Sequence, residues 1–355
     1  MADDSAQLSD RVRAALGAGS GALRIRGGGS KDFYGQALQG ELLDTRAHAG
    51  VIAYEPTELV ITARCGTPLA DIEAELARQG QMLAFEPPHF GPDATLGGAV
   101  AAGLSGPRRA SAGALRDFVL GVRLVDGRGE ILAFGGQVMK NVAGYDVSRL
   151  IAGSLGTLGL ILDVSLKTQP LPAAESSVQL EMPEARAIET LNHWAGNPLP
   201  ISATAWNDGD LCVRLSGAAA AVATAAEKLG GLRMDQGQAL RFWRGIREHS
   251  DAFFNREKPL WRLSLPSNAP PLQLPGEQLI EWGGSLRWLA SNAAAHTVRE
   301  RIAKLGGHAT LFRGGDKAAG VFHPLSAPLL GIHKRLKATF DPQGVFNHGR
   351  MYGDF

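Results

Sequence analysis

The stretch Leu23-Arg24-Ile25-Arg26-Gly27-Gly28-Gly29-Ser30 decides how this chain of 355 residues is interpreted. Its first four residues predict a short β-strand. The glycines that follow tolerate positive φ angles, so successive backbone N–H groups can turn inward and form a nest for a phosphate or pyrophosphate. The loop is not a P-loop, because Lys31 follows Ser30 and the order GK[ST] is absent. Taken alone, it is equally consistent with a flexible surface turn.

Two further glycine clusters lie downstream. The second cluster, 95–103, has small residues at almost every position, which allows the backbone to approach a flat or anionic ligand closely. The third cluster, 153–159, places Ser and Thr hydroxyls beside its glycines. Tight helix packing would explain the second cluster by itself, and a buried turn would explain the third. All three together, in this order, indicate a shared cofactor-binding region.

Composition excludes several classes of protein. The net charge is +1 and no basic tract argues for nucleic acid. The acidic N-terminus does not support a signal peptide, and the most apolar stretch, 150–164, is too short to cross a bilayer. Neither Cys65 and Cys212 nor the nine histidines have metal or iron–sulfur spacing. We therefore expect a cytoplasmic protein without metal, associated with a membrane only through partner subunits.

Periodicity in the first half predicts alternating strands and helices. A helix is predicted between residues 67 and 80, with Thr67 as its cap, Pro68 in its first turn and Gly80 at its end. The predicted strands are 23–26, 60–63, 119–125, 131–134 and 158–166.

The tryptophans mark a second structural unit. All six fall after residue 190, whereas the first half is rich in glycine and alanine. A single core rarely extends beyond roughly 250–300 residues, so two units are expected on length as well. The predicted seam is 168–172, where two prolines interrupt ladder hydrogen bonding.

Residues 22–170 resemble the FAD-binding oxidoreductases of the vanillyl-alcohol oxidase / p-cresol methylhydroxylase (PCMH) type. The motifs that carry the resemblance are RGGGS at 26–30, Glu58 opening a strand, GTPL at 66–69, TLGG at 95–98, RDFVLG at 116–121, GYD at 144–146 and GSLGTLG at 153–159. The segment FDPQGVFNHGR at 340–350 resembles the closing segment of the same family. Tryptophan- and arginine-rich segments at 243–244, 260–266 and 281–288 are similar to the FAD-binding subunits of bacterial glycolate oxidases.

The resemblance implies an α+β fold. Residues 1–170 would form a two-subdomain PCMH-type FAD-binding domain, and 171–320 an α+β cap domain with an antiparallel sheet. Residues 321–355 would return to the FAD-binding domain.

The resemblance also assigns cofactor contacts. The pyrophosphate would lie at Gly27, Gly28, Gly29 and Ser30. The second side of the cofactor would be lined by Thr95, Gly97, Gly98, Ala102 and Gly103. Contacts to the flavin ring and its ribityl chain would come from Gly113, Asp117 and Asn347, and the cofactor would be closed over by Ser154, Gly156, Thr157 and Ile161. FAD would be bound noncovalently, because 108–113 holds no histidine to which the flavin could be attached. A second departure from the family pattern is Leu155, which stands where the third cluster usually has a glutamate.

Hydride transfer from a small 2-hydroxy acid to the flavin is the chemistry that the resemblance implies. Such a site needs a cation for the substrate carboxylate and a base for the hydroxyl proton. The candidate cations are Arg262, Arg287 and Arg313. Strand alternation would place Arg262 beside Ser264, and Arg287 beside Ser285. For each arginine, an exposed or structurally paired charge is the alternative.

Partners follow from the same resemblance: a larger FAD-containing glycolate oxidase subunit and an iron–sulfur subunit. In the leading hypothesis this chain's flavin carries electrons, while the larger subunit oxidises most of the substrate. The alternatives are a self-contained FAD-dependent 2-hydroxy-acid dehydrogenase and a structural paralogue with little flavin chemistry.

Overall fold

The computed structural model describes residues 3–17, 21–136 and 146–353. Contacts divide the chain into two compact units. The first unit comprises Met1–Leu104, Ala114–Pro170 and Pro324–Phe355, and the second comprises Ser105–Gly113 and Leu171–His323. The segment Ser105–Gly113 had been included in the predicted FAD-binding domain. Two residues of the family motif at 144–146, Gly144 and Tyr145, lie outside the described residues.

Helices and strands alternate irregularly along the chain. The α-helices of the described residues are α1 (Ser5–Gly17), α2 (Leu69–Arg78), α3 (Leu96–Ala102), α4 (Arg109–Ala112), α5 (Leu115–Phe118), α6 (Val147–Ile151), α7 (Glu184–Ala195), α8 (Ala219–Leu229), α9 (Gln236–Glu248), α10 (Ala295–Lys304) and α11 (Ala327–Phe340). Their strands are β1 (Leu23–Arg26), β2 (Glu41–Asp44), β3 (Val51–Glu55), β4 (Val60–Arg64), β5 (Gln81–Met82), β6 (Val119–Val125), β7 (Ile131–Gly135), β8 (Leu160–Lys167), β9 (Gln169–Pro170), β10 (Ala174–Glu181), β11 (Ile201–Asn207), β12 (Asp210–Gly217), β13 (Leu232–Arg233), β14 (Leu260–Ser264), β15 (Glu277–Glu281), β16 (Leu286–Ala290) and β17 (His308–Arg313). Short 3₁₀ turns lie at Ala252–Phe254, Trp282–Gly284 and Lys317–Ala319. Among these residues we find no helix with the length and apolar character needed to cross a membrane.

In the first unit, an antiparallel sheet has the order β3-β4-β8-β6-β7. Its central strand β8 is buried along almost its whole length, so the predicted apolar strand lies where both of its faces are covered. Beside this sheet, β1 pairs with β2 in parallel, and Leu23 forms a parallel bridge with Phe346. Side chains from α1, β1, β8 and the segment around Phe346 share one apolar cluster. The start of the unit is therefore tied to a segment more than three hundred residues away.

In the second unit, an antiparallel sheet of the described residues has the order β13-β10-β12-β11-β15-β16-β14-β17. Because side chains alternate along β12, Leu211 and Val213 belong to one cluster with α7 and α8, whereas Cys212 packs against Trp243 of α9 on the other face. The indole Nε1 of Trp243 donates a hydrogen bond of 2.9 Å to Ser177 Oγ. Both faces of this part of the sheet are therefore covered by helices.

The predicted helix between residues 67 and 80 is observed as α2, but its cap is different. Thr67 does not cap it; Pro68 occupies the N-cap position, without a side-chain hydrogen bond. The Thr67 hydroxyl instead donates to Arg64 O at 2.7 Å and accepts from Gly50 N at 2.9 Å. The prediction was wrong because a loop distant in sequence competes for the same hydroxyl.

We expect the core around β8 to control the stability of the first unit. Leu162 is completely buried, so Leu162→Ala should lower the free energy of unfolding by about 2–5 kcal/mol. The matched substitution Leu329→Ala, at a side chain that is 49% exposed, should change it by less than about 0.5 kcal/mol. Urea unfolding followed by circular dichroism measures both values. Equal effects of the two substitutions would contradict this description of the core.

Candidate cofactor-binding site

A cleft that is partly open to solvent lies in the first unit; the space between its lining residues, open solvent included, is about 760 Å³. All three glycine clusters contribute to its walls. The predicted cofactor residues that line it are Gly27, Gly28, Gly29, Ser30, Thr95, Gly97, Gly98, Ala102, Gly156, Ile161 and Asn347. The clusters, which are separated in sequence by up to about 130 residues, are therefore brought to one place.

The first glycine turn has no room for side chains. A Cβ atom on Gly28 would lie 1.4 Å from the carbonyl oxygen of Asp93, and one on Gly27 would lie 2.3 Å from Thr95 Oγ1. Gly29 has a φ of +74°, which side chains rarely tolerate. The turn therefore presents bare backbone to the cleft while it packs against the segment that precedes α3.

The second cluster forms the start of α3. Thr95 caps this helix by accepting a hydrogen bond from Gly98 N at 3.3 Å. Gly97 N donates to Cys65 O at 2.7 Å, and a Cβ atom on Gly97 would lie 2.6 Å from Cys65 Cβ. Burial raises the pKa of the Cys65 thiol to about 12, so this cleft residue is neutral and does not repel an anion.

The third cluster packs directly against α3. Leu155 N donates to Ala101 O at 2.8 Å, and Gly153 N donates to Val100 O at 2.9 Å. Gly103, with a φ of +63°, ends α3 at a point where a Cβ atom would lie 2.7 Å from Gly153 Cα. Gly103 is not among the residues that line the cleft, and its predicted contact with the cofactor remains a prediction.

Asn347 connects the third cluster to the first strand. Its Oδ1 accepts a hydrogen bond from Ile25 N at 2.9 Å, and its Nδ2 donates to Leu155 O at 2.7 Å. A Cβ atom on Gly156 would lie 2.7 Å from Asn347 Nδ2, so glycine is required there. Asn347 lines the cleft and at the same time fixes two of its walls.

Basic side chains that the sequence analysis did not select also line the cleft: Arg26, Lys31 and Arg350. Arg26 Nε lies 2.7 Å from Asp32 Oδ2, and the Arg350 guanidinium donates to the Asp32 carbonyl at 3.0 Å and to Gln36 O. Burial lowers the pKa of Arg350 to about 10, partly opposed by Asp32, so it stays charged at neutral pH. Arg26 and Lys31 flank the first glycine turn, and Arg350 ends the predicted closing motif, so each had a local signal.

Four other predicted residues do not line this cleft. Thr157 Oγ1 donates to Ser154 O at 2.7 Å, and both residues are buried beneath the third turn. The carboxylate of Asp117 accepts a hydrogen bond from Ala114 N at 2.8 Å at the start of α5. Gly113 belongs to the second unit. Their predicted contacts with a cofactor remain predictions.

The cleft fits an anionic dinucleotide. Its walls are glycine backbone that added Cβ atoms would fill, and three basic side chains line it against one carboxylate, Asp32, which is paired with Arg26. Both features suit a diphosphate, which needs close backbone N–H donors and compensating positive charge. Within residues 3–17, 21–136 and 146–353, no group of three or more His, Cys, Asp or Glu residues is placed to hold a metal ion.

The three predicted substrate cations have different surroundings in the second unit. Arg262, on β14, is half-buried on the same strand face as Ser264, with its guanidinium 5.3 Å from the ring centre of Trp282. Arg313 ends β17, and burial lowers its pKa. Both are side chains of intermediate exposure.

Arg287 does not have the surroundings expected of a substrate-binding cation. It is completely buried, and its guanidinium donates to Pro270 O at 2.7 Å and to Ala269 O, so it stabilises a loop and is not accessible to substrate. Ser285 does not share its strand face, because Ser285 has helical backbone angles before β16 begins. The alternation rule was wrong here because Trp282–Gly284 forms a 3₁₀ turn with positive φ at Trp282.

Sequence reasoning missed His249, which no motif singled out. Its ring stacks on Phe254 with centroids 3.9 Å apart and meets Trp288 edge-on at 4.5 Å. Burial, reinforced by Arg313 and Arg262, holds the pKa of His249 well below its usual value. The imidazole is therefore neutral at physiological pH, and the positive charge of this region belongs to the arginines.

Comparison with known proteins identifies the family of this chain. Residues 1–135 match the family model described as FAD binding domain. Glycolate oxidase subunit GlcE of Escherichia coli is 51% identical over 332 residues, which cover 94% of this chain and 93% of the relative. The chain belongs to the GlcE family. It is an FAD-binding oxidoreductase, as the resemblance implied.

More distant relatives share only part of the chain. D-lactate dehydrogenase of Anaerostipes hadrus is 34% identical over 133 residues, 38% of this chain and 27% of that protein. Glycolate oxidase subunit GlcD of Bacillus subtilis is 38% identical over 84 residues, 24% of this chain and 18% of that protein. The GlcE-family chain thus spans about a quarter or less of the length of these two relatives.

The solved structure of an alkyldihydroxyacetonephosphate synthase superposes with a TM-score of 0.68 at 16% identity, covering 96% of this chain and 74% of that one. At this identity the likeness concerns the fold alone. Together with the family match it confirms the predicted fold class, an α+β chain with a PCMH-type FAD-binding domain and an antiparallel sheet.

We expect Gly28→Ala to abolish FAD binding. The added methyl group would collide with the Asp93 carbonyl and displace the first glycine turn from the cleft. Gly136→Ala is the matched control, because a Cβ atom there meets no atom within 4 Å. The flavin absorbance of the purified proteins measures the outcome: a yellow Gly28→Ala protein with full flavin content would contradict the role of this turn.

The second unit should lose stability in acid partly through His249. Because its folded-state pKa is lowered, the stabilisation is complete above the unfolded-state pKa of about 6.5 and is lost as pH falls, by up to about 1.4 kcal/mol per pH unit. His249→Asn, which tolerates the local φ of +53°, should reduce this slope between pH 7 and 5. Exposed His193→Gln should leave it unchanged. Tryptophan fluorescence during urea unfolding reports on this unit, since all six tryptophans lie in it. An unaltered slope in His249→Asn would refute the contribution of His249 to the loss of stability in acid.

Proposed function

We propose that this chain is the FAD-binding subunit of a glycolate oxidase complex that oxidises glycolate to glyoxylate. The observation that carries the proposal is the 51% identity to Escherichia coli GlcE, which extends over nearly the whole of both chains. Its support within the chain is that all three glycine clusters contribute to the walls of one shared cleft.

FAD is held without a covalent bond in this proposal. Its diphosphate would lie against the first glycine turn, compensated by Arg26 and Arg350, and the absence of histidine from 108–113 supports noncovalent binding. When bound, FAD supplies the acceptor for the hydride of the substrate. The chain's own residues would hold the cofactor by close backbone contact; the Cys65 thiol is neutral, and the carboxylate of Asp32, which also lines the cleft, is paired with Arg26 at 2.7 Å.

Arg262 is the proposed cation for the substrate carboxylate. It shares its strand face with the Ser264 hydroxyl and lies against Trp282, whose indole shields the guanidinium on one side. Arg313 is the second candidate. His249 is neutral, so the positive charge near these side chains comes from arginines, among them Arg109, whose guanidinium lies 4.5 Å from the ring centre of Trp282.

Two partner subunits complete the proposed function: a larger FAD-containing subunit and an iron–sulfur subunit that accepts electrons. The relation to GlcD of Bacillus subtilis, itself named a glycolate oxidase subunit, supports the first. The two cysteines of this chain are buried and offer no ligand set for a cluster, which supports the second. We propose a cytoplasmic location, with contact to the membrane only through these partners.

The test is anaerobic reduction of flavin by glycolate in the purified complex and in the isolated chain. We expect the flavin absorbance to bleach in the complex and to bleach slowly or not at all in the isolated chain. Arg262→Met distinguishes the two roles of this chain. It should raise the KM of the complex for glycolate at least about tenfold if this chain binds the substrate carboxylate, because a charge-assisted contact is lost, and should leave the KM unchanged if the larger subunit oxidises the substrate.

Other outcomes overturn the proposal in distinguishable ways. Rapid bleaching and turnover by the isolated chain with an artificial acceptor would make it a self-contained 2-hydroxy-acid dehydrogenase. A colourless chain that refuses FAD would make it a structural subunit.

A further inference from the structure

A buried ion pair lies behind the cleft, on the side formed by Asn347 and the third glycine turn. Lys337, on α11, is 5% exposed, and Asp341, just beyond the end of this helix, is 2% exposed. Their charged atoms, Nζ and Oδ2, are 2.6 Å apart. Neither residue lines the cleft, and neither was selected from the sequence.

Each proton of the Lys337 ammonium has a partner. Besides the Asp341 carboxylate, Nζ donates to Thr157 O at 2.8 Å and to Phe346 O at 2.8 Å. An ammonium has three donors and all are used, which is the condition for a buried charge to be tolerated.

The Asp341 carboxylate holds the same segment from the other side. Its Oδ1 accepts from Val345 N at 2.9 Å, and its Oδ2 accepts from Phe346 N at 2.8 Å. The N–H and the C=O of Phe346 are thus both fixed by the ion pair. Little freedom remains for the residue that follows, Asn347.

Each of the two carbonyl acceptors of Lys337 belongs to a residue that is next to a cleft residue in sequence. Phe346 directly precedes Asn347, and Thr157 directly follows Gly156. Asn347 and Gly156 both line the cleft, and their contact leaves no room for a Cβ atom on Gly156. One ammonium therefore sets the distance between the two segments that form this wall.

We propose that Lys337 is a positioning residue for FAD, which fixes Asn347 against the third glycine turn and so determines how tightly and in which orientation the cofactor is held. The inference rests on the proposed location of FAD in this cleft. Burial of the pair does not by itself establish a role in stability, because replacing both partners by apolar residues is often neutral; removing one partner leaves a buried charge unpaired and lowers stability, so the test needs readouts other than stability.

The test compares Lys337→Met with Arg128→Met in the full chain. Arg128 also contacts α11, through Thr339 O at 3.2 Å, and pairs with Asp126, but it has no contact with the cleft lining. We expect Lys337→Met to raise the Kd for FAD, measured by fluorescence titration of the apoprotein, by about tenfold or more. The visible circular dichroism of the bound flavin should also change. Arg128→Met should keep the wild-type Kd and spectrum even if it lowers the melting temperature.

A double-mutant cycle with Asn347→Ala shows whether Lys337 acts through Asn347. If it does, Lys337→Met should weaken FAD binding much less in the Asn347→Ala background than in the wild type. Fully additive effects would overturn the inference, as would a wild-type Kd and spectrum in Lys337→Met.

A variant that does not fold and a wild-type apoprotein that does not bind FAD are distinguished from these outcomes. If Lys337→Met does not fold, Asp341→Asn, which keeps the side-chain volume and removes the charge, decides by the same Kd and spectral criteria. If the wild-type apoprotein itself does not bind FAD, the proposed function fails and the inference falls with it.

Discussion

Backbone-to-backbone approaches that leave no space for a Cβ atom are the constraint on which the first unit depends. Gly28 lies against the Asp93 carbonyl, Gly97 against Cys65, and Gly103 against Gly153. Each approach joins segments that are distant in sequence, and the cleft is the space left between them. Packing and ligand binding, which compete as explanations when each cluster is considered alone, are therefore two consequences of the same glycines.

Local pattern predicted the elements whose cause is local. The strand 119–125 is observed as β6 with the same limits, and the buried strand near residue 160 is observed as β8. Each prediction rested on a run of apolar residues whose burial does not depend on a particular partner. The glycine turns were recognisable for the same reason, because their composition is unusual over a few residues.

Predictions failed where a distant segment competes for the same group. The Thr67 hydroxyl does not cap α2, because it bonds to Gly50, 17 residues earlier in the chain, and to the carbonyl of Arg64. Arg287 is held by carbonyls of a loop that no periodicity connects to it. Lys337 carries no signal of burial in sequence, since lysine is ordinarily exposed. Its role emerges only when the partners that satisfy its donors are known.

The pairing of Ile25 with Asn347 has a consequence for how the protein is made. The hydrogen bond between them spans 322 residues, and Arg350 contributes to the same cleft. During synthesis the glycine turn at 26–30 leaves the ribosome long before its opposite wall exists. The flavin cleft is therefore completed only after translation has passed residue 350, and the tryptophan-rich unit is able to fold in the interval.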